Sequence, residues 1–561
     1  MKKIALLLAL IMLCAFCVEG FAEDGGLSEP GVLPIWTGSE PAVIRVLTPD
    51  NAKVVWEDNE YTKWIEESCN VKLEFEFLPV ENPKDKLSAM AASGELENFD
   101  VINIQLSLTE CSTLDTKFGV LRDVSDFFEE GLAVNCDAAV AAHPEQYLIS
   151  SITTAEGKIY GVPKIQIAPQ NETKYKLWIN QGWLDNLGLE LPTTTDEFYD
   201  MLVAFKEQDA NGNGDPNDEI PFITSTGFGG TANKFLTNAF VYEGDGDLFL
   251  LDEDGHVTTS YLQDGWYEAT EYLKKLCDEG LLSPESFTYN NDALKAVACA
   301  DEDIVGVVTN SSCAFMGQSD TYPRLRYIPI APLTGPEGVC YSAYAASSTT
   351  TCWMVTSWAK NPELCFRVGD FQFQEEGYLR GRYGLEPDNW MYVDDYKAAN
   401  PDMPLELLIA GDHEIKYVIY NDIRDQTVNN LYWYEHMPYY AGDVDFENAR
   451  PMINVKTGVL ETWENNGTVR QNTITGYYQA VKPGPDVYVP TLAYSAEELE
   501  VLSKYQADLR KYVKEQQTKY IIGDESDLAD KEVFLSKLYN ELGLQQVLDI
   551  ADAAYQRQYA K

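Results

Sequence analysis

The residues best placed for chemistry run Asp209-Ala210-Asn211-Gly212-Asn213-Gly214-Asp215-Pro216-Asn217-Asp218-Glu219-Ile220. Oxygen-bearing side chains fall at positions 1, 3, 5, 7 and 9 of this stretch, with Gly214 at position 6. That is the ligand rhythm of an EF-hand-type calcium loop, in which alternate side chains face one ion and a glycine permits the sharp turn. Position 12 is Ile220, where such a loop carries a bidentate Glu, so Asp218 and Glu219 have to close the shell. The candidate metal set is Asp209, Asn211, Asn213, Asp215, Asn217, Asp218 and Glu219, holding a structural Ca2+. A plain Asn/Asp/Gly turn satisfied by water is the other reading these residues allow.

Little else has the spacing of a reactive centre. The four histidines, His143, His256, His413 and His436, include no pair at metal-ligand spacing. No G-x-S-x-G element is present, and His413-Glu414 lacks the second His of H-E-x-x-H. A glycan hydrolase needs two carboxylates flanking the scissile bond, but with 90 Asp+Glu some pair always looks suitable. Beyond Cys14 and Cys17, the nine remaining cysteines show no C-x-x-C pair and read mainly as buried thiols.

The chain has 561 residues, and 41 Lys+Arg against 90 Asp+Glu give a formal net charge of −49. Phosphate binding needs a basic footprint, so nucleic acid is excluded as a partner and anionic membrane surfaces are disfavoured. With 45% hydrophobic residues the chain still buries more than one core, which implies at least two lobes. Residues 1–22 read as a signal peptide: Lys2 and Lys3, an apolar run from Ile4 to Val18, then Gly20-Phe21-Ala22. Lipid anchoring would use Cys14 or Cys17, but the residues before each are bulky where small ones are wanted. Residues 23–42 read as a flexible leader.

Beyond the leader the pattern turns to strands and helices. Val43–Leu47 and Asp100–Ile104 are short apolar strands, and Lys72–Phe77 alternates with period two. Helices over Tyr61–Glu67 and Lys84–Ser93 separate them, so a parallel α/β sheet is expected. Capping boxes at Thr194/Glu197 and Ser495/Glu498 open two more helices. A third spans Trp266–Asp278, and a helical hairpin closes the chain.

Several ordered segments resemble the extracellular solute-binding proteins of carbohydrate ABC importers, in the large branch that includes alginate- and pectin-fragment binders. They are Met90–Leu96 with Asp100-Val101-Ile102, Gly157-Lys158-Ile159-Tyr160-Gly161-Val162-Pro163, Trp178–Asp185 with Leu187-Gly188-Leu189 and Pro192-Thr193-Thr194, Lys275–Glu285, Lys360-Asn361-Pro362-Glu363, and Tyr520–Arg557. The resemblance departs at Glu97-Asn98-Phe99, where the family carries a proline, and at Pro387, where it carries a glycine.

What the resemblance implies is an α/β, two-lobed, hinged clamp of the type II periplasmic-binding-protein kind, each lobe a mostly parallel sheet flanked by helices. One lobe would comprise 43–163 plus 348–385, the other 164–347 plus 386–561. The implied function is an exported, non-catalytic, monomeric receptor that captures an oligosaccharide and delivers it to the transmembrane subunits of an ABC permease. A secreted glycan hydrolase and a ligand-presenting sensor are the alternatives. Some members of the family hold calcium in a comparable loop.

Sugar recognition calls on aromatic faces and a few polar groups, and the chain has 34 Tyr and 11 Trp. By resemblance Trp390 is the stacking ring and Glu386 the hydroxyl acceptor. Trp433, Trp353 and Asn180 are further ligand-binding candidates, with core packing for the indoles and helix capping for Asn180 as the competing roles.

Overall fold

The structure, a computed structural model, describes residues 26–560 except 52–53, 143–147, 167–168, 228, 246–248, 312–323, 346–347, 402–408, 411–412, 415, 420–432, 434, 442–452, 455–458 and 461. The signal peptide, Cys14 and Cys17 lie outside the described residues. The strands that organise the chain are, in order, β1 (Ala42–Pro49), β2 (Val71–Leu78), β3 (Val101–Leu106), β4 (Gly161–Gln166), β5 (Lys176–Asn180), β6 (Ile220–Phe222), β7 (Phe249–Leu251), β8 (Val257–Thr259), β9 (Val305–Asn310), β10 (Tyr327–Pro329) and β11 (Ser348–Val355). They divide between two compact units. The first takes the chain up to Gln166, then Thr349–Tyr392 and Ile419–Gly442; the second takes Ile167–Ser348, Val393–Val418 and Asp443–Lys561.

In the first unit, a strand over Tyr439–Ala441 is followed across the sheet by β4, β11, β3, β1 and β2. β1 runs parallel to β2 along its whole length and parallel to β3, and Tyr439–Ala441 runs parallel to β4. β11 lies antiparallel to β3. The crossover helices are terminated locally. Asn59 accepts from the amides of Tyr61 and Thr62 to open Glu60–Cys69, and Ser107 with Glu110 forms a capping box on Leu108–Phe118. Leu47, Ile102, Leu87, Leu96 and Met354 fill the core between sheet and helices. Gly161 is required where β4 meets β11, because a Cβ there would sit 2.1 Å from the Trp353 carbonyl oxygen.

The second unit differs from the expected mostly parallel sheet. Its order is β10-β5-β9-β6, with β5 antiparallel to both β10 and β9, and only β6 parallel to β9. Local periodicity marks a strand but not its direction, and β9 joins β5 after more than a hundred intervening residues. Trp183, Phe198, Leu202, Phe205 and Phe222 pack on this sheet. The helices Asp264–Asp278, Ala496–Ile521, Lys531–Asn540 and Leu544–Gln558 enclose a second core around Trp266, Leu509, Phe534 and Leu544. No helix among the described residues is long and apolar enough to cross a membrane. The eight described cysteines are all free thiols.

The expected flexible leader is instead folded onto the first unit over its described part, residues 26–41. Leu27 bridges to Trp36, Ile35 is buried, and Asn70 Nδ2 donates to the carbonyls of Trp36 and Gly38 at 3.1 and 2.8 Å. The buried Arg367 guanidinium donates to the Ser28 carbonyl at 2.6 Å, to Ser28 Oγ at 3.1 Å and to the Glu29 carbonyl at 2.8 Å. The polar groups of the leader are met by Asn70 and by this cation, which lies some 340 residues away in sequence. Arg367→Ala is expected to cost at least about 2 kcal/mol, since one charge-assisted bond is worth about 1.5–3 kcal/mol. Hydrogen exchange should show protection lost over residues 26–36; a leader that stays protected would refute the anchoring role of Arg367.

Candidate functional site

The oxygen-rich loop follows the helix Thr195–Glu207, which the Thr194/Glu197 capping box starts. Each side chain turns back onto the main chain two residues on: Asn211 Oδ1 accepts from Asn213 N at 2.9 Å, Asn213 Oδ1 from Asp215 N at 2.7 Å, and Asp215 Oδ1 from Asn217 N at 3.2 Å. Asp209 Oδ2 accepts from Gly214 N across the ring at 2.9 Å, and Gly214 has the left-handed φ of +95° that the turn needs. Asp218 accepts from the amides of Asn211 and Asn213 at 3.2 and 2.7 Å. Glu219 Oε1 accepts from Ala210 N at 3.0 Å. The loop thus brings all seven predicted side chains into one turn. Ile220 opens β6, paired with Val305, which explains why position 12 is apolar and why Glu219 closes the ring from position 11.

Two oxygens in this ring stand out. Asp209 Oδ1 and Glu219 Oε2 are buried with no hydrogen-bond partner among the described residues. Burial holds the Glu219 carboxyl above its ordinary value; main-chain N–H bonds pull it back and the Asp218 charge pushes it up again. Buried, unpaired carboxylate oxygens are costly unless a cation meets them. Among the described residues no three Asp, Glu, His or Cys side chains gather as a ready-made metal centre. The donors here are of mixed type, carboxylates with amide oxygens, which suits a hard cation such as calcium.

The predicted aromatic residues occupy other surroundings. Trp353 is wholly buried, and its indole N–H donates to the Cys365 carbonyl at 2.8 Å. Trp390 is buried as well, donating to the Gly384 carbonyl at 2.9 Å, while Glu386 stands exposed on the loop between them. Trp433 lies in a nest of rings, with centroids 5.3 Å from Trp56, 5.0 Å from Tyr61 and 6.5 Å from Trp353. Trp433 and Trp353 are therefore brought together, and Trp390 with Glu386 forms a separate loop. The three indoles pack in the interior of the first unit in this conformation, where their large apolar area is best used.

Asn180 ends β5 in the second unit, fully buried. Its Oδ1 accepts from Gly182 N at 3.1 Å as a helix cap, and its Nδ2 donates to Asp303 Oδ1 at 2.7 Å and the Val305 carbonyl at 3.2 Å. At the opposite end of this sheet, at the carboxyl ends of β6 and β9, Ser225 Oγ donates to Asn291 Oδ1 at 2.7 Å, and a Cβ on Gly227 would strike that amide. Tyr175 and Lys174 both meet Asp245, at 2.7 and 2.5 Å.

The polar rim at the carboxyl ends of β1 and β3 escaped the sequence reading. Asn51 follows β1, Gln105 sits at the end of β3, and both reach Glu435. Burial pushes the neighbouring His436 down to about 4, with the Lys164 charge acting in the same direction. Their position just past two predicted strands is the signal that could have found Asn51 and Gln105, because ligands of open α/β sheets collect there.

No family model matches the chain. It is 25% identical over 424 residues to FusA of Streptococcus pneumoniae, a fructooligosaccharide ABC transporter substrate-binding protein, covering 73% of this chain and 71% of that one. It is also 25% identical over 227 residues to the polygalacturonan/rhamnogalacturonan-binding protein YtcQ of Bacillus subtilis, about two-fifths of either chain. Solved structures agree on the fold. FusA with kestose superposes with TM-score 0.68 at 21% identity, over 92% of this chain and 99% of that one. An HMO-binding solute-binding protein of Bifidobacterium longum infantis gives 0.72 at 19%, over 93% and 100%. The alginate-binding protein AlgQ2, solved without calcium ion, gives 0.61 at 20%, over 94% and 100%. FusA has also been solved as an EF-hand mutant with fructo-nystose.

Asn180→Ala removes a cap and leaves Asp303 without one of its donors. It is expected to cost about 1–2 kcal/mol in denaturant unfolding. No loss of stability would point away from the capping role.

Proposed function

We propose that this chain is an exported, non-catalytic receptor that binds an oligosaccharide and hands it to the transmembrane subunits of an ABC permease. The observation that carries the reading is the reach of the likeness to a fructooligosaccharide-binding protein, a stretch longer than either unit rather than one motif. The fold shared with oligosaccharide-binding structures supports it. The acid-rich composition then serves as a solvated coat for an exported protein. Soluble oligosaccharides should raise the melting temperature of purified protein without release of reducing sugar. Reducing-sugar release would overturn the reading in favour of a hydrolase.

The same proposal includes a structural calcium ion in the Asp209–Glu219 loop. Asp209 and Glu219 would supply the carboxylate oxygens that lack donors, and Asn211, Asn213 and Asp215 the rest of the ring, with Asn217 and Asp218 supporting it. The ion's chemistry would be charge compensation, and the chain's own part is to hold the oxygens at a common focus. Saturating calcium at about a hundred times its Kd should add about 2.7 kcal/mol of stability. EGTA is expected to lower the melting temperature, and Asp209→Asn to abolish that response. Metal analysis finding no calcium, together with no EGTA effect, would end the claim.

A further inference from the structure

At the carboxyl ends of β1 and β3, polar and apolar groups of the first unit meet. Gln105 Nε2 donates to the Glu435 carbonyl at 2.8 Å, and Asn51 Nδ2 reaches Glu435 Oε2 at 3.4 Å. The Glu435 side chain is 53% exposed, so its carboxylate faces water while its backbone is tied down. Beside it lies an apolar edge. Trp56 packs on Trp433, His436 and Phe77, and Phe77 and Val55 remain 43% and 62% exposed. Beneath, Trp56 Nε1, Trp433 Nε1 and Asn103 Nδ2 are buried donors with no partner among the described residues. Amides, one carboxylate and an apolar ring edge are what a sugar's hydroxyls and C–H faces require.

The charges of this rim are one-sided. Asp50, Glu57, Asp58 and Glu76 are exposed around it. The cations are buried or paired with acids: Lys63, its side chain 40% exposed, meets Asp58 at 2.7 Å and Glu60 at 2.9 Å. Lys164 is buried beneath the Glu435 carbonyl, 3.4 Å away, over the Tyr439 ring. Lys84 is held by both oxygens of Glu110 at 2.8 and 2.9 Å, and Arg382 is buried against the Tyr378 hydroxyl at 2.6 Å. Burial lowers the Lys164 ammonium to about 8, with Arg382 acting in the same direction and Cys352 and Glu435 against it; His436 is neutral near pH 7. A uronate carboxylate placed here would meet a surplus of like charge and find each of these cations already buried or held by an acid, a penalty that grows as the site desolvates.

We infer that Asn51, Gln105 and Glu435 form a hydroxyl-binding subsite for an uncharged oligosaccharide, and that the acidic rim rejects uronate-containing sugars. The inference rests on the receptor reading above, and its test separates the two. Calorimetry and thermal shift would use fructo-, malto-, xylo- and galacto-oligosaccharides against tri- and tetragalacturonate, on wild type, Glu435→Gln and Gln105→Ala. The expected result is binding of at least one neutral oligosaccharide and none of either galacturonate, at 20 mM as at 300 mM salt. Both substitutions should weaken the neutral ligand at least tenfold while the melting temperature without ligand is kept.

Using two substitutions guards against a folding defect in either. Neutral binding unchanged in both variants would overturn the subsite alone. A galacturonate binding as tightly as the neutral sugar would overturn the charge selection. If no sugar of either panel binds wild type, the receptor reading falls and this inference with it.

Discussion

The contact between β4 and β11 is the constraint on which the first unit depends. Gly161 lies so close to the Trp353 carbonyl that only a residue without a side chain fits. β11 in turn holds β3 in an antiparallel pair, and β3 holds β1 and β2. Yet β11 begins at Ser348, after nearly all of the first long segment of the second unit has been traversed. The sheet whose strand ends carry Asn51 and Gln105 is thus completed by a strand from far along the chain. Such long-range closure costs loop entropy, offset by the buried apolar faces of Ile102, Met354 and Leu47.

The second unit solves a different electrostatic problem. A chain with so large an acidic excess keeps most carboxylates in water, where their repulsion is screened. The loop before β6 does the opposite, drawing Asp209 and Glu219 inward and leaving one oxygen of each unpaired. Main-chain amides neutralise part of this burden, and the residual oxygens point to a cation. The first unit draws cations inward instead: Arg367 onto the leader and Lys164 under Glu435. The acids are left to define the surface.

Features set by neighbours within a turn or two were legible in the residues. The capping boxes Thr194/Glu197 and Ser495/Glu498 formed as read, because both partners sit on one helical turn. The Asp209–Glu219 ring was legible for the same reason, as were β1, β2 and β3 with the helices between them. The strand directions in the second sheet were not, since β5, β9 and β10 meet over long separations. The leader misled because polarity and glycine suggest freedom, while Arg367 and Asn70 supply its bonds from elsewhere. The tryptophans misled differently. An indole is chemically fit both for a sugar face and for a core, and only its surroundings choose.

By itself, the amino-acid sequence determined the α/β character, the exclusion of nucleic acid, the calcium-type oxygen rhythm and the likeness to carbohydrate-importer receptors. The first three are matters of composition or of spacing along a short stretch, and the likeness rests on several ordered segments spread over the chain. Tertiary structure alone decided that Trp353, Trp390 and Trp433 are interior, that Asn180 is a cap, and that Asn51, Gln105 and Glu435 share one rim. Those outcomes depend on which distant surfaces exclude water from a side chain. Burial belongs to the assembled sheet and its helices, not to any residue type.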